Sequence, residues 1–249
     1  VKITGPGSTA AGFLVESPAE ERVLVTAGHV LSALKADECI VILHRRQEDG
    51  TIVKNPQKLA VRQGGTPLWQ KHPAADVAAI RVPFGKDDNL AYLPIGCLAR
   101  AEDLLQLPLQ PGTLVRLWGF PHAPIFQGNP EEYGIVRLGC VANYPLPPER
   151  GLATFLIDIN TFEGDSGGPV AVLVQEVTGR PAVGDGSAPA GWVIGLMTGQ
   201  HFVDEEFRMI YQSGKFRHRM GLGIVVASPL IREVIGQVLK GPPGESPPM

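Results

Sequence analysis

The chain has 249 residues, with 22 Lys and Arg against 25 Asp and Glu for a formal net charge of -3, which leaves no electrostatic footprint for a nucleic-acid partner. Its 30 glycines and 23 prolines punctuate many short apolar runs, the pattern of an all-β sandwich or barrel. No apolar stretch reaches the roughly 18 residues that span a membrane.

Read in chain order, strands are predicted at 1–4, 11–16, 23–26, 39–44, 59–62 and 77–82, alternating or fully apolar runs bounded by turn residues. Residues 98–110 read as a short helical or irregular crossover. A second set of strands follows at 114–119, 133–142, 154–158, 169–173, 192–197 and 222–227. Ser228 is a candidate N-cap for a closing helix at 229–239, with Pro229 in its first turn. The Pro- and Gly-rich stretch 241–249 reads as a flexible tail. Cys39, Cys97 and Cys140 are too few and too scattered for a disulfide framework and are expected as free thiols. No secretory leader is readable, which fits a cytoplasmic chain, a processed secreted or periplasmic one, or a trimmed one.

Three local contexts carry chemistry. Gly164-Asp165-Ser166-Gly167-Gly168-Pro169 reads as a serine nucleophile set in a tight turn. A glycine two positions before the serine lets the Gly164 and Ser166 N–H groups converge on one point, where an oxyanion would develop. Val23-Leu24-Val25-Thr26-Ala27-Gly28-His29 is a β-type run ending in small residues that leave room for an imidazole, a side chain suited to act as base and then as acid. Asp76 stands at the mouth of the apolar run 77–82. A carboxylate entering a buried strand needs a partner, and an imidazole whose tautomer it fixes is the natural one. Asp37, Asp87 and Asp88 sit among other charges and read as loop acids.

The order His29, Asp76, Ser166, in these contexts, resembles the chymotrypsin-fold (trypsin-like) serine peptidases. The resemblance implies two six-stranded antiparallel β-barrels with a C-terminal α-helix. The first barrel would span about 1–107, the second about 108–228 and the helix about 229–240, all in one peptidase domain at 1–240. Trp118-Gly119-Phe120-Pro121 with Gly134-Ile135-Val136, and the run from Gly221 to Pro229, are similar to stretches of HtrA-type bacterial members. The likeness is therefore to bacterial-type enzymes, here without disulfides or an appended peptide-binding domain. By the same resemblance Asn160 would form the base of the primary specificity pocket, Gly223 its wall, and the strand 196–200 around Thr198 the edge that pairs with substrate. An uncharged, small or medium side chain is then expected before the scissile bond.

Asp165 is a point of departure. In the digestive enzymes the acid before the serine pairs with an amine released by zymogen cleavage, and this chain lacks the matching amino-terminal motif. Activation without an amine switch is expected, through a partner for Asp165 that the sequence does not identify. The segments 175–191, a long hairpin tip, and 200–220 read as insertions, either a substrate-selecting or regulatory lid or a solvated surface loop. His44, His72, His122, His201 and His218 show no metal-ligand spacing, and Gly184-Asp185-Gly186 lacks the context of a phosphate cradle; no cofactor or metal is implied. The expected activity is hydrolysis of polypeptide by Ser166, His29 and Asp76 through an acyl-enzyme. Two alternatives stay open: a binding or scaffold protein with an occluded site, and a latent enzyme awaiting a regulatory partner.

Overall fold

The computed structural model describes residues 1–5, 8–84, 90–121, 132–147, 149–178, 190–209 and 211–241. In the first half the chain forms β1 (Lys2–Gly5), β2 (Ser8–Ala11), β3 (Phe13–Glu16) and β4 (Arg22–Thr26), then the short helix α1 (Gly28–Ala33). There follow β5 (Glu38–Arg46), β6 (Ile52–Ala60), β7 (Arg62–Gln63), β8 (Thr66–Pro67), β9 (Gln70–Lys71), β10 (Ala78–Arg81) and β11 (Leu93–Pro94). These strands make a four-stranded sheet ordered β2-β1-β5-β6 and a five-stranded sheet ordered β11-β3-β4-β10-β9, with β7 and β8 as a separate pair. Both sheets fold over one core: Ile3, Val41 and Leu43 come from the first, Leu14, Leu24 and Ile80 from the second. The chain passes between the sheets at Gly12, the single residue separating β2 from β3.

After helix α2 (Ala101–Gln106), the second half forms β12 (Leu114–Gly119), β13 (Ile135–Val141), β14 (Thr154–Asp158), β15 (Pro169–Leu173), helix α3 (Val174–Thr178), β16 (Gly191–Arg208), β17 (Ser213–Ala227) and helix α4 (Ser228–Lys240). Its six strands close into a barrel in the order β12-β13-β14-β17-β16-β15. Inward residues such as Val115, Leu117, Ile157, Val170 and Ile194 fill it. A third cluster joins the halves. Ile231, Val234, Ile235 and Val238 of α4, spaced for one helical face, pack with Val15, Val25, Leu98, Leu196 and Val226. Burying each such aliphatic side chain is worth about 1.5–3 kcal/mol.

Two expectations change. Ser228 does not cap α4: it is the first helical residue after Ala227, and its buried hydroxyl donates to Ala99 O at 2.7 Å. The 175–191 segment lies at the tip of the antiparallel β15–β16 pair, where Leu173 faces Gly191, and begins as helix α3; 179–189 lie outside the described residues, as does the tail from 242. The 200–220 segment is not an irregular loop: β16 and β17 remain paired from Phe202↔Arg219 to Arg208↔Ser213. Across the ladder Arg217 pairs with Asp204 and Lys215 with Glu206, and His218 Nε2 lies 3.0 Å from Glu205 Oε2. All three cysteines are free.

Candidate active site

Strand β4 is buried from Val23 to Thr26 and delivers the chain to Ala27 and Gly28, where α1 begins. His29 is the second residue of that helix, and Asp76 holds it at two points. Its backbone N–H donates to Asp76 Oδ1 at 2.8 Å, and its Nδ1 lies 2.6 Å from Asp76 Oδ2. A carboxylate accepts only, so Nδ1 carries the proton and Nε2 is left as an acceptor. Burial alone would raise the Asp76 carboxyl. The hydrogen bonds and charge of His29, with Lys71 Nζ at 3.9 Å, outweigh it and hold Asp76 below the usual carboxylate range.

Ser166 arrives from the second half and docks against the first. Its carbonyl accepts from Ala11 N at 2.9 Å, and Gly167 N and Met197 O are 2.7 Å apart across the turn. Ser166 Oγ donates to Thr198 O at 3.4 Å, and among the described residues it makes no hydrogen bond to His29. Catalytic hydrogen bonds are often long before substrate closes the site. Gly164 sits at φ 97, a left-handed conformation that favours glycine. Neither the Gly164 nor the Ser166 N–H has a backbone acceptor among the described residues.

Asp165, between them, is 1% exposed and forms an ion pair with Arg137 of β13. Its other oxygen accepts from Phe162 N at 2.6 Å. Burial pushes the Asp165 carboxyl above the usual range, against the pull of Arg137 and of the Phe162 N–H. Gly119 makes this pair sterically allowed, because a Cβ there would overlap the Asp165 carboxylate. Phe162 lies between two guanidinium groups, those of Arg137 at 5.5 Å and Arg219 at 5.0 Å from its centroid.

The residues assigned to a specificity pocket divide. Asn160 is exposed, close to Gly221 rather than enclosed. Gly223 is buried in the β14–β17–β16 ladder, opposite Ile157 and Gln200. Thr198 borders Ser166 through its carbonyl. The Gln200 side chain, unremarked in the sequence, reaches across to Thr161 Oγ1 at 2.9 Å, and Arg219 donates to Thr161 O at 3.2 Å. Arg137 was also missed: in 135–141 the apolar Val136 and Leu138 face out while Arg137 is only 16% exposed, the reverse of what apolar alternation along a strand predicts.

Among the described residues no cluster of His, Cys, Asp and Glu could hold a metal ion, and no helix is long and apolar enough to cross a membrane. The sequence profile of the trypsin-like peptidase domain matches residues 10–179. An inactive form of Rv3671c from M. tuberculosis H37Rv superposes with a TM-score of 0.52 at 17% identity, covering 98% of this chain and 88% of that one. HBP superposes with a TM-score of 0.55 at 13% identity, covering 99% and 93%. These two likenesses are of fold. No curated protein matches the chain.

Proposed function

Because the chain belongs to the trypsin-like peptidase domain family, we propose that it is a serine endopeptidase working through Ser166, His29 and Asp76. The observation that carries this reading is the two-point grip of Asp76 on His29, which leaves Nε2 as the acceptor facing solvent and substrate. In the proposed reaction Nε2 takes the Ser166 proton as Oγ bonds to the peptide carbonyl carbon. The Gly164 and Ser166 N–H groups receive the oxyanion, and one such donor is worth about 2.7–4 kcal/mol. The C–N bond then breaks as His29 returns its proton to the leaving amine, and water hydrolyses the acyl-enzyme by the same relay. Asp165 acts indirectly: its pairing with Arg137 anchors the turn that aims both donors.

In this reading residues 1–240 are one peptidase domain, divided near 107 and closed by the helix at 229–240. In the same reading the Gln200 side chain, which accepts from Thr161 Oγ1, borders the primary pocket and favours a small or medium uncharged residue before the scissile bond. A second reading, a latent enzyme or binding scaffold, draws on one observation: Ser166 Oγ is bonded to Thr198 O rather than to His29. Incubation with an unfolded protein substrate tests the proposal. Cleavage that Ser166→Ala abolishes supports it. An intact substrate, with folded protein and no stimulation by cell extract, selects the scaffold; stimulation by extract selects the latent enzyme.

A further inference from the structure

The turn that carries Asp76 is closed by a buried histidine with no part in the proposed proton relay. β9 and β10 pair antiparallel, with Lys71 opposite Ala78, and His72 N donates to Val77 O at 2.9 Å. The loop 73–76 joins the two strands, and Asp76 is its last residue. The His72 imidazole is 6% exposed, and its Nδ1 lies 3.2 Å from the Ala74 N–H of that loop. Its Nε2 lies 3.1 Å from Glu233 Oε2, a carboxylate of α4.

The two contacts fix the ring's tautomer. A backbone N–H only donates, so Nδ1 accepts from Ala74; the ring proton sits on Nε2 and is donated to Glu233. His72 thus carries its proton on the opposite nitrogen from His29, whose Nδ1–H faces Asp76. The loop is seated on α4 by packing as well, since Ala75 and Val77 join the cluster that holds Ile231, Val234 and Ile235. From the helix a continuous path leads to the active site. Glu233 orients the His72 ring, the ring holds Ala74, and two residues later Asp76 grips His29 at 2.8 and 2.6 Å.

We infer that His72 is the positioning residue for Asp76, holding the loop against α4 so that both carboxylate oxygens reach His29. The inference rests on the endopeptidase reading and deepens it, by naming what aims the acid. A two-point grip tolerates little movement of the loop, and a displacement of about 1 Å can cost about a hundredfold in rate. With Asp76 displaced, the His29 ring loses the acceptor that selects its Nδ1–H tautomer, and Nε2 no longer presents a lone pair to Ser166. Two substitutions divide the roles of the ring. His72→Asn puts an amide oxygen where Nδ1 stands, keeping the Ala74 bond and giving up Glu233. His72→Gln puts an amide N–H near the place of Nε2, keeping Glu233 and giving up Ala74.

The test measures kcat, KM and melting temperature for both variants with one peptide substrate. His72→Gln is expected to lower kcat about tenfold or more while KM stays within about twofold. His72→Asn should keep kcat within about threefold of wild type, although each variant gives up one hydrogen bond and the two should melt at similar temperatures. Equal losses of kcat in the two variants, or losses that simply follow melting temperature, overturn the inference and leave the endopeptidase standing. The tautomers are read without turnover, from long-range ¹H–¹⁵N spectra of ¹⁵N-histidine-labelled Ser166→Ala protein in mildly alkaline buffer. His29 is expected as the Nδ1–H form and His72 as the Nε2–H form, with His29 becoming a mixture of tautomers when His72→Gln is added. His72 found as the Nδ1–H form, or a His29 spectrum that His72→Gln leaves unchanged, refutes the inference whether or not the protein cleaves peptide. The expected tautomers in a protein that hydrolyses nothing would remove the endopeptidase reading and leave His72 as the residue that positions Asp76.

Discussion

Replacing Arg137 by Met removes the cation from Asp165 while keeping most of the side-chain volume. Asp165 is 1% exposed and has Arg137 as its ion-pair partner, with only the Phe162 N–H bonded to the other oxygen. Stranding a buried charge in this way costs about 3–5 kcal/mol. At about 2–4 °C per kcal/mol for a chain of this size, the melting temperature should fall by about 6–20 °C. The pH dependence has a fixed sign. Burial already holds the Asp165 carboxyl above its ordinary value in the wild-type protein, and loss of Arg137 raises it further. A group with a raised folded pKa favours the folded state at low pH and loses that contribution as pH rises through the folded value. The Arg137→Met penalty should therefore be largest at pH 7–8 and shrink toward pH 4. Thermal and urea unfolding of Arg137→Met, Asp165→Asn and the double variant close a cycle in which the pair shows strong coupling. Labelling of Ser166 by a fluorophosphonate should slow in parallel, because the anchored turn carries both N–H donors. A single-variant cost below about 1 kcal/mol, or a coupling near zero, would refute the argument that this ion pair holds the turn.

Other consequences are equally direct. Gln200→Gly removes the side chain that meets Thr161, and the preference for alanine over phenylalanine before the scissile bond should fall on the order of tenfold; an unchanged ratio in matched chromogenic peptides would place the pocket wall elsewhere. Asp76 is held below the usual carboxylate range, so it contributes stability above a pH of about 3.9 that is lost as pH falls through the folded value. Asp76→Asn should flatten the acid limb of a melting-temperature profile and lower kcat about 10⁴-fold; an unaltered limb would contradict the assigned cause. Ser228→Asp separates a cap from an anchor. An N-cap tolerates Asp, whereas a carboxylate facing Ala99 O in a buried site should cost more than about 2 kcal/mol in urea unfolding.

The sequence discloses the architecture where one physical rule acts alone. The apolar runs of the second barrel and the 3.6-residue spacing of Ile231, Val234, Ile235 and Val238 are set by burial, and the strands and helix lie where that rule puts them. The contexts of His29 and Asp76 are legible because each breaks an apolar run, and the structure brings the two side chains together. Legibility fails where a partner lies far away in the chain. Arg137 and Asp165 are 28 positions apart, and Gln200 and Thr161 are 39 apart, so only the closed barrel reveals their contact. It fails also at 200–220, where charge reads as solvation. On alternate positions of two facing strands the same charges are cross-strand pairs, a distinction that depends on register rather than composition. Ser228 shows a third case: a good cap by residue type is drawn inward because Ala99 O is buried nearby and needs a donor.

The most direct test of the central claim is the rate at which a fluorophosphonate labels the purified protein, with the adduct located by mass spectrometry. The account predicts a single adduct on Ser166 that forms rapidly in the wild-type protein and is abolished in both Ser166→Ala and His29→Ala. Well-folded wild-type protein that stays unlabelled, or labelling that survives loss of His29, would contradict it.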